Sequence, residues 1–147
     1  INQYIRATSG EGFTAKNFRT WGATSRCAER LAFLSSKRTA AEMKKWLKSI
    51  PSVESMDKLW SEGDWEVPTT DAGCNKAMLA VIDTVATDLG NTRTVCRSSY
   101  IHPWFLDAWS AGRLGEAWAE FADMRAMGNM TAGESTTLRI LKSVINA

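Results

Sequence analysis

The feature that most constrains the fold is a long apolar stripe in the middle of the chain. Residues 70–89 carry apolar side chains at helical spacing, which predicts one helix with a single buried face. The residues on that face are Cys74, Ala77, Met78, Val81, Ile82, Val85 and Leu89. Gly90 follows, and glycine accepts the left-handed conformation that ends many helices. A buried face of this length needs other helices to cover it.

The remaining sequence repeats the helical pattern, and no alternating run is long enough to indicate a strand. A capping box is predicted at Thr39 with Glu42 and a helix cap at Thr131 to Glu134, while Pro103 suits the first turn of a helix. Residues 1–8 are predicted to be the end of a helix, and Thr14 is predicted to cap a helix over about 14–35. Further helices are predicted over about 39–50, 53–60, 103–111, 114–124 and 131–145. The predicted fold class is therefore all-α, a compact multi-helix domain.

Length and composition place the chain among ordinary globular domains. Its 147 residues fit a single domain, 1–147, and no apolar run approaches the roughly 20 residues that cross a bilayer. The three cysteines are an odd number without metal-ligand spacing, which indicates a reduced, intracellular protein with no metal site. The start is neither a methionine nor a signal peptide, so we expect a piece of a longer protein.

The charge is unevenly distributed along the chain. Residues 1–50 carry ten Lys and Arg against three Asp and Glu, whereas residues 51–90 carry two against eight. Such an asymmetry predicts an oriented electrostatic field that favours DNA on one side. The alternative is that these charges only solvate helices, and the net charge of +2 does not decide between the two.

The segment between Gly90 and Pro103 groups charged and hydroxyl side chains. On an α-helix, Arg93, Arg97 and Tyr100 fall at i, i+4 and i+7 and would share a face. Two guanidiniums beside a phenol suit a phosphodiester, since the guanidinium fork holds phosphate oxygens in a fixed geometry. The alternative is an exposed basic helix that ends in a packed tyrosine.

Two segments resemble one enzyme family. Residues 89–103 read LGNTRTVCRSSYIHP, which is similar to the nucleophile segment of type IB DNA topoisomerases in their small prokaryotic and viral-type branch. Residues 10–21 read GEGFTAKNFRTW, which resembles the Phe-Thr-x-Lys-x-x-Arg-Thr-Trp segment of that family. The two motifs occur in the family's order. The resemblance thins out between about residues 38 and 68, which we expect to be a family-atypical insertion.

The resemblance implies a fold, an activity and a set of site residues. The fold would be the C-terminal portion of the catalytic core that type IB topoisomerases share with tyrosine recombinases. The activity would be transient cleavage of one strand of double-stranded DNA through a 3′-phosphotyrosyl intermediate, which relaxes supercoils without metal or ATP. Tyr100 would be the nucleophile, and Arg19 and Asn91 would bind the reacting phosphate. The further DNA-phosphate contacts would be Lys16, Arg93 and Arg97.

The resemblance also implies partners and leaves alternatives. We expect a monomer that binds double-stranded DNA without a cofactor, and a cytoplasmic or nucleoid location if the source is bacterial. The family's other catalytic arginine and its lysine lie upstream of residue 1, so this chain is expected to cleave DNA poorly. A tyrosine recombinase is the second hypothesis, although Lys16 replaces the histidine usual there. A non-catalytic helical DNA-binding module is the third.

Individual site residues have plainer interpretations. Arg19 could be a surface residue, and Asn91 could be a turn residue. His102 is the only histidine, and it is predicted to cap the helix that begins at Pro103 rather than to donate a proton. Cys96 is predicted to be a small buried residue. Most of the seven tryptophans are predicted to pack in the core, and Trp65 is the least explained of them.

Overall fold

The computed structural model of the protein describes residues 15–146, with side chains described for residues 19–144. That part of the chain folds into eight α-helices and one π-helical turn, which confirms the predicted all-α class. The α-helices are α1 Ala15–Leu34, α2 Ala40–Leu47, α3 Glu54–Leu59, α4 Asp71–Leu89, α5 Arg93–Val95, α6 Pro103–Ser110, α7 Leu114–Ala122 and α8 Ala132–Asn146, and the π-helical turn is Cys96–Tyr100.

Helix α4 is the central apolar helix that the sequence predicts. The Thr70 hydroxyl caps it by accepting from the Gly73 amide at 3.0 Å. Gly90 ends it with φ 68°, and the Asn91 amide donates to the Ala86 carbonyl at 2.9 Å. The predicted face is buried over most of its length, at Ala77, Met78, Val81, Ile82 and Val85.

Helix α1 is the element against which the others assemble. It packs on α4, on the π-helical turn and on α6, α7 and α8. Small side chains on α1 allow this close approach, because they leave little volume between the backbones. Ala23, Thr24, Cys27 and Ala28 are all fully buried.

Most predicted helix boundaries are confirmed by their capping contacts. Thr39 and Glu42 form the predicted capping box, with bonds of 2.9 and 3.1 Å. Thr131 and Glu134 form the same reciprocal pair before α8. The predicted extensions of α2 to residue 50 and of α7 to Met124 are wrong. Helix α2 ends at Leu47, and α7 ends at Ala122, with Met124 half-exposed. The predicted helix within residues 1–8 and the predicted cap at Thr14 lie outside the described residues.

The segment 38–65 closes on itself. Arg38 and Trp65 form an isolated antiparallel bridge, with N–H to O distances of 3.1 and 2.7 Å. Trp65 is buried, and its indole Nε1 donates to the Leu34 carbonyl at 2.9 Å. Trp65, which the sequence leaves unexplained, is therefore a buried residue that fixes the end of segment 38–65 to the C-terminal end of α1.

Within residues 15–146, no helix has both the length and the apolar character that crossing a membrane requires.

Replacing Gly90 by Ala tests the stop of α4. The left-handed backbone at φ 68° costs a residue with a Cβ roughly 1–2 kcal/mol, although no neighbouring atom would clash with that Cβ. We expect Gly90→Ala to lower the free energy of unfolding by about that amount in urea denaturation. Gly63→Ala is the matched control, because Gly63 has equal space and no positive φ. An unchanged stability of Gly90→Ala would refute the assigned role of the glycine.

Candidate active site

The segment that carries Tyr100 begins as an α-helix and ends as a π-helical turn. Thr92 caps it by accepting from the Val95 amide at 3.2 Å. The turn closes where the Ile101 amide donates to the Cys96 carbonyl, five residues back, at 3.1 Å. The extra residue per turn rotates the end of the segment relative to its start. The predicted α-helical i, i+4, i+7 alignment is therefore wrong in its geometry, while the predicted end at Tyr100 is confirmed.

Thr24 of α1 holds both peptide groups that flank Ile101. Its Oγ1 donates to the Tyr100 carbonyl at 3.1 Å and accepts from the His102 amide at 3.0 Å. Thr24 is fully buried, so water does not compete for these bonds. A single hydroxyl thus joins helix α1 to the backbone of the predicted nucleophile, and Tyr100 itself is half-buried.

His102 has the capping role predicted from the sequence. Its Nδ1 accepts from the Trp104 amide at 3.1 Å at the start of α6. Burial lowers the pKa of His102, which favours the neutral imidazole that this acceptor role requires. Pro103 occupies the first turn of the same helix, also as predicted.

Arg19 is exposed on α1, on the same helix as Thr24. The two residues are five positions apart, which corresponds to about 7.5 Å along the helix axis. Five positions also correspond to a rotation of about 140° around that axis. The bond from Thr24 to the Tyr100 carbonyl therefore connects the tyrosine backbone to the helix that carries Arg19. Lys16 lies in the first turn of α1, where only the backbone is described.

Asn91 directly follows the stop of α4, and its carboxamide is the least satisfied group of the site. Its Nδ2 is buried and has no hydrogen-bond partner among the described residues. A buried donor without a partner is costly, so such groups require a specific explanation. Asn91 also lines an open groove of about 470 Å³ together with Thr87 and Lys58. Glu54, Asp83 and Arg93 line the same groove, which therefore carries charges of both signs.

Ion pairs attach the last turn of α4 to α1. Arg30 contacts Asp88 at 2.7 Å, and its other terminal nitrogen donates to the Thr84 hydroxyl at 3.0 Å. Arg26 approaches the same carboxylate at 3.7 Å. Asp88 lies three residues before Asn91. The segments that carry Arg19, Asn91 and Tyr100 are thus fixed to one another through α1.

Arg93 and Arg97 lie in a different environment from Tyr100. Both line a groove of about 560 Å³ with Ser98 and Asp107, and Tyr100 is not among its lining residues. Arg97 is exposed. Ile101 lines the same groove, and Arg93 also lines the groove beside Asn91, so Arg93 borders both grooves.

Arg93 forms a two-pronged ion pair with Asp83 of α4, with distances of 2.6 and 2.5 Å. Asp83 also accepts from the Ser55 hydroxyl of α3 at 2.6 Å. Hydrogen bonds from Arg93 hold the pKa of Asp83 below its ordinary value, and the Ser55 bond contributes in the same direction. A phosphate that binds Arg93 would have to compete with this carboxylate.

Two buried cysteines lie in the elements that meet at the site. Burial raises the pKa of Cys96 to about 11, and burial and the neighbouring Cys96 raise the pKa of Cys27 as well. Both thiols are therefore neutral at physiological pH and act as small apolar residues, as predicted for Cys96. Residues 15–146 contain no group of three or more potential metal ligands.

Sequence reasoning missed Thr24 and the partners of Arg93. Thr24 lies three residues after the Arg19-Thr20-Trp21 motif, at a helical position surrounded by small buried residues. A hydroxyl at a core position needs a hydrogen-bond partner, and this requirement was the available signal. Nothing in the local spacing indicates that Asp83 and Ser55 would meet Arg93 from other helices.

A comparison with protein families identifies the class to which the chain belongs. The model of the eukaryotic DNA topoisomerase I catalytic core matches residues 1–103, which is more than two thirds of the chain and includes Arg19, Asn91 and Tyr100. The class is thus that of type I DNA topoisomerases, enzymes that act on DNA. The chain belongs to the type IB topoisomerase family. The search of curated proteins gave no match.

Replacing Asp83 by Asn tests the ion pair with Arg93. Because the pKa of Asp83 is lowered in the folded state, its carboxylate stabilises the fold above about pH 4 and loses this effect as the pH falls further. We expect Asp83→Asn to cost roughly 0.5–1 kcal/mol at pH 7 and to show a smaller loss of stability on acidification. Urea denaturation at pH 7 and pH 3 measures both.

Asp123→Asn is the matched control for this prediction, since Asp123 is an exposed aspartate at the end of α7. Equal pH dependence in wild type and Asp83→Asn would contradict the assigned contribution of the pair.

Proposed function

We propose that the protein cleaves and reseals one strand of double-stranded DNA through a 3′-phosphotyrosyl intermediate on Tyr100. The observation that carries the proposal is the buried Thr24 hydroxyl, which ties the backbone of Tyr100 to the helix that bears Arg19. The family match supplies the reaction class. We also propose that the chain belongs to the small prokaryotic and viral-type branch, on the strength of its SYIHP ending.

The chemistry follows from the residue types at the site. The phenol oxygen of Tyr100 attacks phosphorus, the bond from phosphorus to the 5′ oxygen breaks, and that oxygen leaves as a hydroxyl after it takes up a proton. The phenol proton is released in the same step. The phosphate remains on the 3′ side as a tyrosyl ester, and attack by the 5′ hydroxyl reverses the sequence. The ester conserves the bond energy, so the reaction needs neither ATP nor metal.

Arg19 and Asn91 supply the electrostatic part of the proposal. The guanidinium of Arg19 binds two phosphate oxygens at once and neutralises the charge that grows on them. The Asn91 carboxamide donates a neutral hydrogen bond to the phosphate through Nδ2, which has no partner among the described residues. Lys16, Arg93 and Arg97 bind flanking phosphates. Arg93 binds its phosphate after it releases the Asp83 carboxylate.

The remaining features support the same account. The basic surplus of residues 1–50 attracts the DNA backbone, and one chain carries all three principal residues, so we propose a monomer that is located with the chromosome. Residues 38–68 are proposed as an accessory insertion. Its ends close at the bridge between Arg38 and Trp65, and its helix α3 packs on α4 and contacts Asp83.

Replacing Tyr100 by Phe tests the nucleophile. The protein, in the form in which its gene encodes it, is incubated with supercoiled DNA and with a duplex labelled at the 5′ end of the cleaved strand, and is then quenched with detergent. We expect wild type to relax the plasmid and to retain label covalently, whereas Tyr100→Phe traps no DNA and binds it with unchanged affinity. Tyr4→Phe is the matched control, because Tyr4 is the other tyrosine of the chain.

Three results would contradict the proposed function. Covalent trapping by Tyr100→Phe would identify a different nucleophile, and recombinant products at defined sites would indicate a recombinase. Salt-sensitive binding by wild type without any covalent adduct would leave only a DNA-binding module.

Replacing Asn91 by Ala separates catalysis from folding. Loss of one preorganised donor to the phosphate typically lowers the rate on the order of 10²–10³-fold. Because Nδ2 is buried without a partner, its removal should leave the free energy of unfolding unchanged or raise it. Single-turnover cleavage and urea denaturation measure the two effects, with the exposed Asn75→Ala of α4 as the control. A parallel fall in rate and stability would assign Asn91 a structural role instead.

A further inference from the structure

We propose that Thr24 is a positioning residue that sets the register of Tyr100 against helix α1 and thereby determines the rate of strand cleavage. This inference rests on the proposed function. It assigns the residue a role that goes beyond the packing of a helix interior.

The first step is the unusual use of the Thr24 hydroxyl. A serine or threonine inside a helix commonly bonds the carbonyl one turn back, as Ser25 does with the Trp21 carbonyl at 2.9 Å. Thr24 instead bonds across to residues 76 and 78 positions away. The hydroxyl thus makes two hydrogen bonds to the nucleophile segment.

The second step concerns the two backbone groups at the end of the π-helical turn, which Thr24 binds. The Ile101 amide closes the turn onto the Cys96 carbonyl, and the chain then leaves in an extended conformation at Ile101 with φ −89° and ψ 127°. Regular helix pairing therefore ends at the Tyr100 carbonyl and the His102 amide, which lie on either side of Ile101. Thr24 binds both, one as donor and one as acceptor.

The third step is directionality. A hydroxyl has one proton, so the bond to the Tyr100 carbonyl consumes it, and the bond from the His102 amide must use a lone pair. The two bonds together fix the peptide groups that flank Ile101 in both position and orientation. The His102 side chain caps α6, so the residue that follows Ile101 is also fixed to the next helix. The Tyr100 backbone is consequently fixed relative to α1 and to Arg19.

The test uses the protein as its gene encodes it and three variants of Thr24. It compares their cleavage rate constants at saturating DNA. Val removes both hydrogen bonds at nearly constant shape, Ser keeps both, and Cys keeps only a weak donor and acceptor. We expect Thr24→Val to slow single-turnover cleavage on the order of 10²-fold, as misplacement by about 1 Å can do. Thr24→Ser should retain most of the wild-type rate, and Thr24→Cys should fall between the two.

Two readouts distinguish positioning from general destabilisation. Partial unfolding lowers the amplitude of the covalent product and leaves its rate constant unchanged. A positioning defect lowers the rate constants of cleavage and religation by the same factor, because both pass through one transition state, and leaves the fraction of trapped DNA at equilibrium unchanged. Thr137→Val is the matched control, since Thr137 is fully buried and donates to the Gly133 carbonyl within α8.

Each outcome decides the matter. Should Thr24→Val not fold, the order of the Ser and Cys rate constants serves instead, and equal rates would overturn the proposal. A Thr24→Val rate constant equal to wild type, or an equal loss in Thr137→Val, would also overturn it. The absence of any adduct in wild type would refute the proposed function, which is a distinguishable result.

Discussion

The packing of α1 against its neighbours through small side chains is the constraint on which the rest of the structure depends. Ala23, Thr24, Cys27 and Ala28 are fully buried and leave room for the π-helical turn and α4 to approach the helix. Of these residues, Thr24 contacts the nucleophile segment directly, through hydrogen bonds to the Tyr100 carbonyl and the His102 amide. The close approach also lets one hydroxyl reach two backbone groups of the neighbouring segment.

The site combines well-satisfied anchors with one unsatisfied donor. Thr24, Arg30 and His102 complete hydrogen bonds that hold the segments together. The Asn91 Nδ2 has no partner in the part of the chain that the structure describes, although it is buried. A group left unpaired in the free protein costs folding free energy, and a substrate oxygen that pairs with it returns that free energy on binding. This distribution is consistent with a phosphate-binding role for Asn91.

The helices were predictable because each depends on local rules. The apolar period of α4, the left-handed stop at Gly90 and the capping pairs of α2 and α8 all follow from residues within a few positions of one another. Met124 was misassigned because an apolar residue beyond a helix end continues the helical period without continuing the helix.

The π-helical turn and the partners of Arg93 were not predictable by the same means. Spacing alone assigns α-helical geometry to residues 93–100, whereas the turn is stabilised by Thr24 from 76 residues away. The ion pair with Asp83, and its contact with Ser55, likewise depend on how α3 and α4 pack. The motif resemblance identified candidate residues, but only the packing shows that Arg93 is paired within the protein.

The most direct test of the central claim is a structure of the protein bound to a DNA duplex that is nicked at the bond between the cleaved phosphate and the 5′ oxygen that leaves. The account predicts that the Tyr100 oxygen is bonded to, or lies in line with, that phosphate. It also predicts that the Arg19 guanidinium and the Asn91 carboxamide lie within hydrogen-bond distance of its oxygens. A complex in which these three side chains contact separate parts of the DNA, or none of it, would contradict the account.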